Sequence, residues 1–203
     1  MTALTETILL DYAGVITRDY HEVDYPAELA SKFGISTEAF VRTNRQHSAM
    51  ARLSLGELSE SEVSDLFVSQ NADARPIEPL EFVSDNYNPD PETLERLAAI
   101  RSKGLVRLAL VSNIFPASIQ YLRQHGVDTY FDHTFFSCEM GDRKPNESYF
   151  STVLAACRIR PSAALFLDDT LSNIETAEKL GIPSILISDR HQVHEILDGF
   201  IND

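Results

Sequence analysis

The sequence predicts an α/β protein: a doubly wound parallel sheet with a small helical module inserted after the first strand. Three observations predict it. Residues 7–17, TILLDYAGVIT, open with an apolar run of β-formers, Ile8, Leu9 and Leu10, that stops at Asp11 and then passes Gly14. Residues 107–113, RLALVSN, close a similar run with Ser112 and Asn113, and residues 163–169, AALFLDD, close one with the adjacent acids Asp168 and Asp169. Between the first run and the others the pattern turns helical for roughly 70 residues, more than a simple βαβ crossover needs. A continuous apolar run ended by polar residues marks a strand buried on both faces. Open α/β sheets keep their chemistry at the carboxyl ends of their strands, so these tips point toward one shared site.

Residues 1–17 and 89–203 are accordingly expected to form the α/β core, and residues 18–88 the inserted module with its return linker. Within the insert, residues 26–33 carry Leu29 and Phe33 at helical spacing with Gly34 as a stop. Ser36 is placed to cap a second helix holding Phe40 and Val41, and Ser59 with Glu62 forms an S-x-x-E capping box before Val63, Leu66 and Phe67. Residues 71–91 contain Pro76, Pro79, Pro89 and Pro91, too many for a regular element, and read as the return linker. Asp90 and Pro91 suit the cap and first turn of a helix with Leu94, Leu97 and Ala98 on one face, ended by Lys103 and Gly104.

Strand and helix then alternate. Residues 105–112 read as a strand, a helix surrounds Ile119 and Leu122 up to Gly126, and a short strand covers 134–137. A helix places Tyr149, Val153, Leu154 and Cys157 on one side before the strand at 163–167. Asn173 is a candidate cap for a helix with Ile174, Ala177 and Leu180, closed by Gly181. Residues 184–187 read as another strand, and a last helix takes Val193, Ile196, Leu197 and Phe200. Such alternation implies right-handed crossovers in one sheet.

Composition narrows the function. The 203 residues are 43% hydrophobic and 24% charged, values of an ordinary globule, with room for one large domain or a domain and a small insert. With 17 Lys+Arg against 31 Asp+Glu the formal charge is −14, a field that repels nucleic acid and anionic lipid. An anionic substrate entering that field needs a metal ion or a lysine. Cys138 and Cys157 lack metal-type spacing and make no disulfide framework, which fits a reducing, cytoplasmic setting. The start, MTALTETILL, lacks a basic leader region, and no apolar run approaches the ~20 residues of a membrane span.

The candidate site residues follow from the strand tips. An isolated Asp11 is also what a helix cap or turn would use. Asp168 and Asp169 side by side repel each other unless a cation lies between them and Asp11, and three carboxylates at adjoining tips suit a hard oxygen-liking ion, Mg²⁺ first. Ser112 and Asn113 offer a hydroxyl and an amide to a phosphate oxygen, though they are also turn formers. Lys144, fixed before Pro145 in GDRKPN, can neutralise a phosphate and a carboxylate together. Arg143 beside it reads as a surface charge.

Asp11-Tyr12-Ala13-Gly14-Val15, Ser112-Asn113, Lys144-Pro145 and Asp168-Asp169, in this order, resemble the four motifs of the haloacid dehalogenase-like hydrolase superfamily. Residues 166–187, FLDDTLSNIETAEKLGIPSILI, and 140–145, MGDRKP, look most like the subgroup that contains the N-terminal phosphatase domain of soluble epoxide hydrolases and small bacterial sugar-phosphate phosphatases. The resemblance spans residues 8–17 and about 88–187; the insert corresponds only in position and helical character to the family's cap. It implies a Rossmann-like core with a helical cap and a Mg²⁺-dependent hydrolase, a phosphatase of a small phosphorylated metabolite such as a sugar phosphate. Carried over by position, Asp11 is the nucleophile that forms an aspartyl-phosphate, and Ser112, Asn113 and Lys144 hold the transferring group. The metal falls to Asp11, the backbone carbonyl of Ala13 and Asp169, with Asp168 in support.

One departure is plain. Most phosphatases of this superfamily carry a second aspartate two residues after the nucleophile, and here that position is Ala13. Acid–base help of about 10²–10⁴-fold must then come from elsewhere. Asp19, Tyr20, His21 and His47 in the insert are candidates, or the leaving group departs unaided, as from an anomeric or acyl phosphate. Two other readings compete. The Asp-aromatic-Ala-Gly start resembles phosphonate hydrolases and dehalogenases, yet dehalogenases use no metal and a phosphonate enzyme needs a cap lysine, for which only Lys32 is available. A catalytically weakened binding or regulatory module is the third, opposed by the retention of Asp11, Lys144 and both late acids.

Overall fold

The computed structural model describes residues 5–17, 23–104 and 106–202. The first strand, β1 (Thr7–Leu10), is fully buried. Its alternation sends Ile8 and Leu10 to one face of the sheet and Leu9 to the other, where they join two separate apolar clusters.

The chain then leaves for the insert: α1 (Tyr25–Phe33), α2 (Thr37–His47), α3 (Ala49–Ser54) and α4 (Glu60–Gln70). Its boundaries are set by local chemistry. Gly34 ends α1 in the left-handed conformation, the Ser36 hydroxyl accepts from Ala39 N–H, and the Ser59–Glu62 capping box is formed in both directions. These helices share an apolar centre of their own around Leu29, Phe33, Phe40, Leu53, Val63 and Phe67. The Phe67 ring stacks on Phe33 at 4.7 Å and on Phe40 at 4.8 Å. Phe40 and Val41 both lie in α2 as expected; α2 turns Phe40 and Thr43 inward and leaves Val41 exposed. The proline-rich return contains one short 3₁₀ turn, Pro79–Phe82. Exit and return lie side by side, with Thr17 and Pro89 bridged antiparallel and Asp90 N–H donating to Ile16 O at 2.7 Å.

Core alternation follows: α5 (Pro91–Lys103), β2 (Arg107–Ser112), α6 (Pro116–Gln124), β3 (His133–Phe136), α7 (Ser137–Met140), α8 (Glu147–Cys157), β4 (Ala164–Asp168), α9 (Leu171–Lys179), β5 (Ser184–Leu186) and α10 (Arg190–Asn202). Asp90 caps α5 through Thr93 N–H at 3.0 Å. The buried face of α5 is Thr93, Leu97 and Ile100; Ala98, expected there, is exposed. Asn173, expected as a cap, is the third residue of α9, whose N-cap is Thr170.

The five strands are parallel in the order β3-β2-β1-β4-β5. In register, Leu10 stands between Leu110 of β2 and Leu167 of β4. The residues that follow β1, β2 and β4 therefore emerge beside one another. Helices α5, α6 and α10 contribute to the cluster on one face, and α8 and α9 to that on the other. Among the described residues no helix is long and apolar enough to cross a membrane, and Cys138 and Cys157 are both free thiols.

Candidate active site

Asp11 continues β1 past its last paired residue, its N–H donating to Leu167 O at 3.0 Å. This places the Asp11 carboxylate at the sheet's carboxyl edge, buried, with Oδ1 accepting from Tyr12 N–H at 2.7 Å. The loop ahead of α8 delivers Lys144 to the same spot. Its Nζ lies 3.0 Å from Asp11 Oδ1 and 2.6 Å from Asp168 Oδ2, and the side chain is only 1% exposed. The Phe166 ring lies 5.5 Å below the ammonium.

The electrostatics of this trio depend on burial. Loss of water pushes the Asp11 carboxyl up to about 7; Lys144 pulls against that rise, and Asp168 and Asp169 add to it. For Lys144, burial works against the charge, but Asp11 and Asp168 more than offset it and hold the ammonium above its ordinary value. A charged lysine thus sits between carboxylates at a depth where any unpaired charge is costly.

Asp11, Asp168 and Asp169 each offer a carboxylate oxygen, all within 4.8 Å of one another. This donor set is hard oxygen only, which fits Mg²⁺ rather than a soft metal. The three acids are not equivalent. Asp168 accepts from Thr170 N–H at 2.8 Å, from Asn173 Nδ2 at 2.9 Å and from Lys144, so its oxygens are already held by protein donors. Asp169 is half-exposed and lies against Gly14, where a Cβ would stand 2.1 Å from its Oδ2. Gly14, at φ +77°, is thus the bare patch of backbone that gives the Asp169 carboxylate its place beside Asp11.

Ser112 ends β2, buried, and its hydroxyl makes no hydrogen bond among the described residues. The Asn113 amide pairs both ways with the backbone of Lys144: Nδ2 donates to Lys144 O at 2.8 Å, and Oδ1 accepts from Lys144 N–H at 3.0 Å. Ala13 and Asn113 line a crevice of about 50 Å³ whose other wall is Tyr25, Phe82 and Tyr87 of the insert. The insert is fastened over this edge. The Glu60 carboxylate, nearly fully buried, accepts from Ala117 N–H at 2.7 Å at the start of α6, and Gly56 lets the insert approach Cys138 O.

A family model described as haloacid dehalogenase-like hydrolase matches residues 5–181, most of the chain. The chain belongs to that family of hydrolases. The chain is 30% identical over 105 residues to bifunctional epoxide hydrolase 2 of Rattus norvegicus, covering 47% of this chain and 18% of the relative. It is 25% identical over 116 residues to the phosphorylated carbohydrates phosphatase of Thermotoga maritima, covering 57% and 52%. It thus spans less than a fifth of the rat protein and about half of the bacterial one. In fold, it matches a HAD-like family hydrolase from Porphyromonas gingivalis with a TM-score of 0.79 at 22% identity, covering 99% of this chain and 100% of that one. A HAD family enzyme of Bacteroides thetaiotaomicron, solved with magnesium and inorganic phosphate, gives 0.71 at 18% identity, covering 90% and 93%.

In this HAD-like hydrolase, sequence reasoning missed two residues at the site. Asn173, read as a helix cap, turns its amide onto Asp168 from the first turn of α9. The signal was there: five residues after Asp168, an amide in the first turn of a helix that starts at the strand tip lies close to that tip. Arg143, read as a surface charge, is half-buried and bonded to Ser54 of the insert at 2.7 Å. Of the candidates for the missing acid, Asp19, Tyr20 and His21 lie outside the described residues. His47 is the last residue of α2, and among the described residues no hydrogen bond or ion pair joins it to the acid cluster.

Proposed function

We propose that this HAD-like hydrolase is a Mg²⁺-dependent phosphatase that transfers the phosphoryl group of a small phosphorylated metabolite to Asp11 and then to water. The observation that carries the proposal is the buried trio in which Lys144 meets Asp11 at 3.0 Å and Asp168 at 2.6 Å, beside the half-buried Asp169. The Bacteroides structure with magnesium and phosphate and the name of the Thermotoga relative support the same reading.

In the first step an Asp11 oxygen attacks phosphorus. The bond to the leaving oxygen breaks, and its electron pair departs with the leaving group. In the second step water attacks the same phosphorus, the bond to Asp11 breaks, and phosphate leaves, so one hard displacement becomes two easier ones. Lys144 holds the attacking carboxylate in place and neutralises the incoming phosphoryl oxygens, while Ser112 donates its hydroxyl to one of them. Asn113 acts through Lys144, whose backbone it grips. Asp11, Asp169 and the Ala13 carbonyl would hold Mg²⁺, with Asp168 in support, and the ion would offset charge on the phosphoryl oxygens. Ala13 cannot donate a proton, so the enzyme favours leaving groups that depart without one.

Two features oppose the competing chemistries. Lys32 Nζ is held by Glu28 at 2.8 Å, Val83 O at 2.9 Å and Asp85 at 3.0 Å. Burial works against its charge, yet those carboxylates keep its pKa above the ordinary value, unlike the neutral amine a Schiff base needs. The clustered acids likewise suit a metal-dependent enzyme rather than carbon–halogen cleavage or a mere binding module. The test is phosphate release from a panel of small phosphate esters, with Mg²⁺ or chelator, and with Asp11→Asn as control. Release that requires both Mg²⁺ and Asp11 is expected. No release from any ester, or release unchanged by Asp11→Asn, overturns the proposal.

A further inference from the structure

Arg143 lies in the seam between insert and core. Its Nη1 donates to Ser54 Oγ on α3 at 2.7 Å, and its Nε reaches Lys144 O at 3.5 Å. Ser54 is buried and donates its own hydroxyl to Ala51 O at 2.8 Å, so what it presents to Arg143 is a lone pair. The carbonyl of Lys144 also receives the Asn113 amide, and Asn113 lines the crevice beside Ala13. The guanidinium is therefore anchored from both sides, close to the phosphoryl-binding edge and beneath the insert.

What it lacks is an anion. Among the described residues Lys32, Arg96 and Lys144 each meet a carboxylate at 2.8, 2.9 and 3.0 Å, whereas none meets the Arg143 guanidinium; the neighbouring Asp142 carboxylate accepts from the Arg143 backbone N–H at 2.8 Å instead. Burial alone accounts for its lowered pKa. A guanidinium carries five N–H donors, and the two contacts above use two of them. In a chain of net charge −14, a half-buried guanidinium with no carboxylate partner among the described residues is an expensive arrangement unless an incoming anion completes it. The remaining donors form a planar fork whose natural complement is a carboxylate.

We propose that Arg143 binds a second anionic group of the substrate, a carboxylate at the end opposite the phosphoryl group, so that the preferred substrate is a small phosphorylated carboxylic acid. This rests on the phosphatase reading above. Ser54 aims the fork, which ties recognition of the carboxylate to the seated position of the insert.

Unreactive phosphonates test it. Methylphosphonate has only the phosphoryl-like end, while phosphonoacetate and 3-phosphonopropionate add a carboxylate at two reaches. Their affinities are measured in Mg²⁺ buffer by calorimetry for the unaltered protein, Arg143→Gln and Arg143→Lys. One of the carboxylate ligands should bind about tenfold tighter than methylphosphonate or better, the size of a charge-assisted hydrogen bond. Arg143→Gln should remove that preference and leave methylphosphonate binding unchanged, and Arg143→Lys should keep part of it. If Arg143 merely fastens the insert, all three ligands weaken together in Arg143→Gln and the preference survives, which overturns the proposal. No preference in the unaltered protein also overturns it. If none of the three binds, the phosphatase reading itself falls and the subsite with it.

Discussion

Replacing Gly14 by alanine tests how the acid cluster is assembled. Gly14 has φ +77°, and an added Cβ would lie 2.1 Å from Asp169 Oδ2 and 2.6 Å from its Cγ. Two costs follow. The left-handed backbone costs a residue with a Cβ about 1–2 kcal/mol. Pushing the carboxylate aside adds an overpacking cost of about 1–3 kcal/mol. Gly14→Ala should therefore lower the unfolding free energy by about 2–5 kcal/mol, a large share of the about 5–15 kcal/mol of a typical domain. Urea denaturation in the presence of chelator measures it without interference from bound metal. Asp169→Gly removes all three close atoms, Oδ2, Cγ and the Cβ at 3.1 Å, so in that background Gly14→Ala should cost only the backbone part, about 1–2 kcal/mol, giving a coupling of about 1–3 kcal/mol between the two sites. Equal costs in both backgrounds would mean that the Asp169 side chain does not press on position 14. A second readout is Mg²⁺ affinity, which should fall by about tenfold or more in Gly14→Ala because Asp169 can no longer take its place. Unchanged affinity would refute the role given to that contact.

Asn113→Ala leaves the Lys144 N–H and C=O without their amide partner and should cost about 1–3 kcal/mol in urea denaturation, and, on the proposed function, should also slow phosphate release. Asp90→Asn should blunt the acid sensitivity of the fold. Burial raises the Asp90 carboxyl, but contacts with His194 and Thr93 outweigh it and leave the folded value below the ordinary one. The stabilisation from Asp90 is thus complete above the unfolded value near ~4 and is lost as pH falls through the folded value. Urea midpoints between pH 5 and pH 2, conditions chosen around that ~4, should drop more for the unaltered protein than for Asp90→Asn. Ala13→Asp projects a carboxyl toward the crevice of about 50 Å³ and should raise hydrolysis of alkyl phosphates by at least about tenfold, measured as phosphate release. An unchanged rate would mean that the crevice does not receive the leaving group.

Much of this molecule is legible in its sequence because apolar runs and their polar stops report directly on parallel strands. The strands ending at Leu10, just before Asp11, and at Ser112 and Asp168 lie where the runs predict, and the Ser36, Ser59 and Asp90 caps form as their spacing implies. Partner choice is less legible. Helical spacing put Ala98 on one face with Leu94 and Leu97, but only the packing of neighbouring helices decides how wide the buried stripe is, and Ala98 falls outside it. Polar residues are harder still. The pattern GDRKPN does not say that one cation is 1% exposed between two acids and its neighbour is tethered to a helix residue 89 positions earlier in the chain. Nor does LSN after two acids say that Asn173 serves Asp168 rather than the helix start. Those pairings depend on which strand tips stand side by side, a property of strand order and not of local pattern.

Strand order also explains why the charged trio is tolerated. With β1 between β2 and β4, the residue after Leu10 and the end of β4 are forced together, so Asp11 and Asp168 face each other whatever else happens. Two buried carboxylates at that range would unfold or protonate without a cation. Lys144 supplies it from a third loop, and its backbone is gripped in turn by Asn113 from the tip of β2. A hydrophobic trio of similar volume would stabilise the fold as well or better, since buried ion pairs rarely repay their desolvation. The arrangement is therefore hard to explain as a stability device. It makes sense as a poised one: a carboxylate held at fixed geometry beside a fixed positive charge, with Asp169 at the open edge. The reacting group then meets charges that are already oriented, and little reorganisation remains for the moment of reaction. If so, exchanging Lys144 for methionine should reduce turnover far more steeply than any loss of folding stability predicts, and a parallel fall in both would argue that the lysine only holds the fold together.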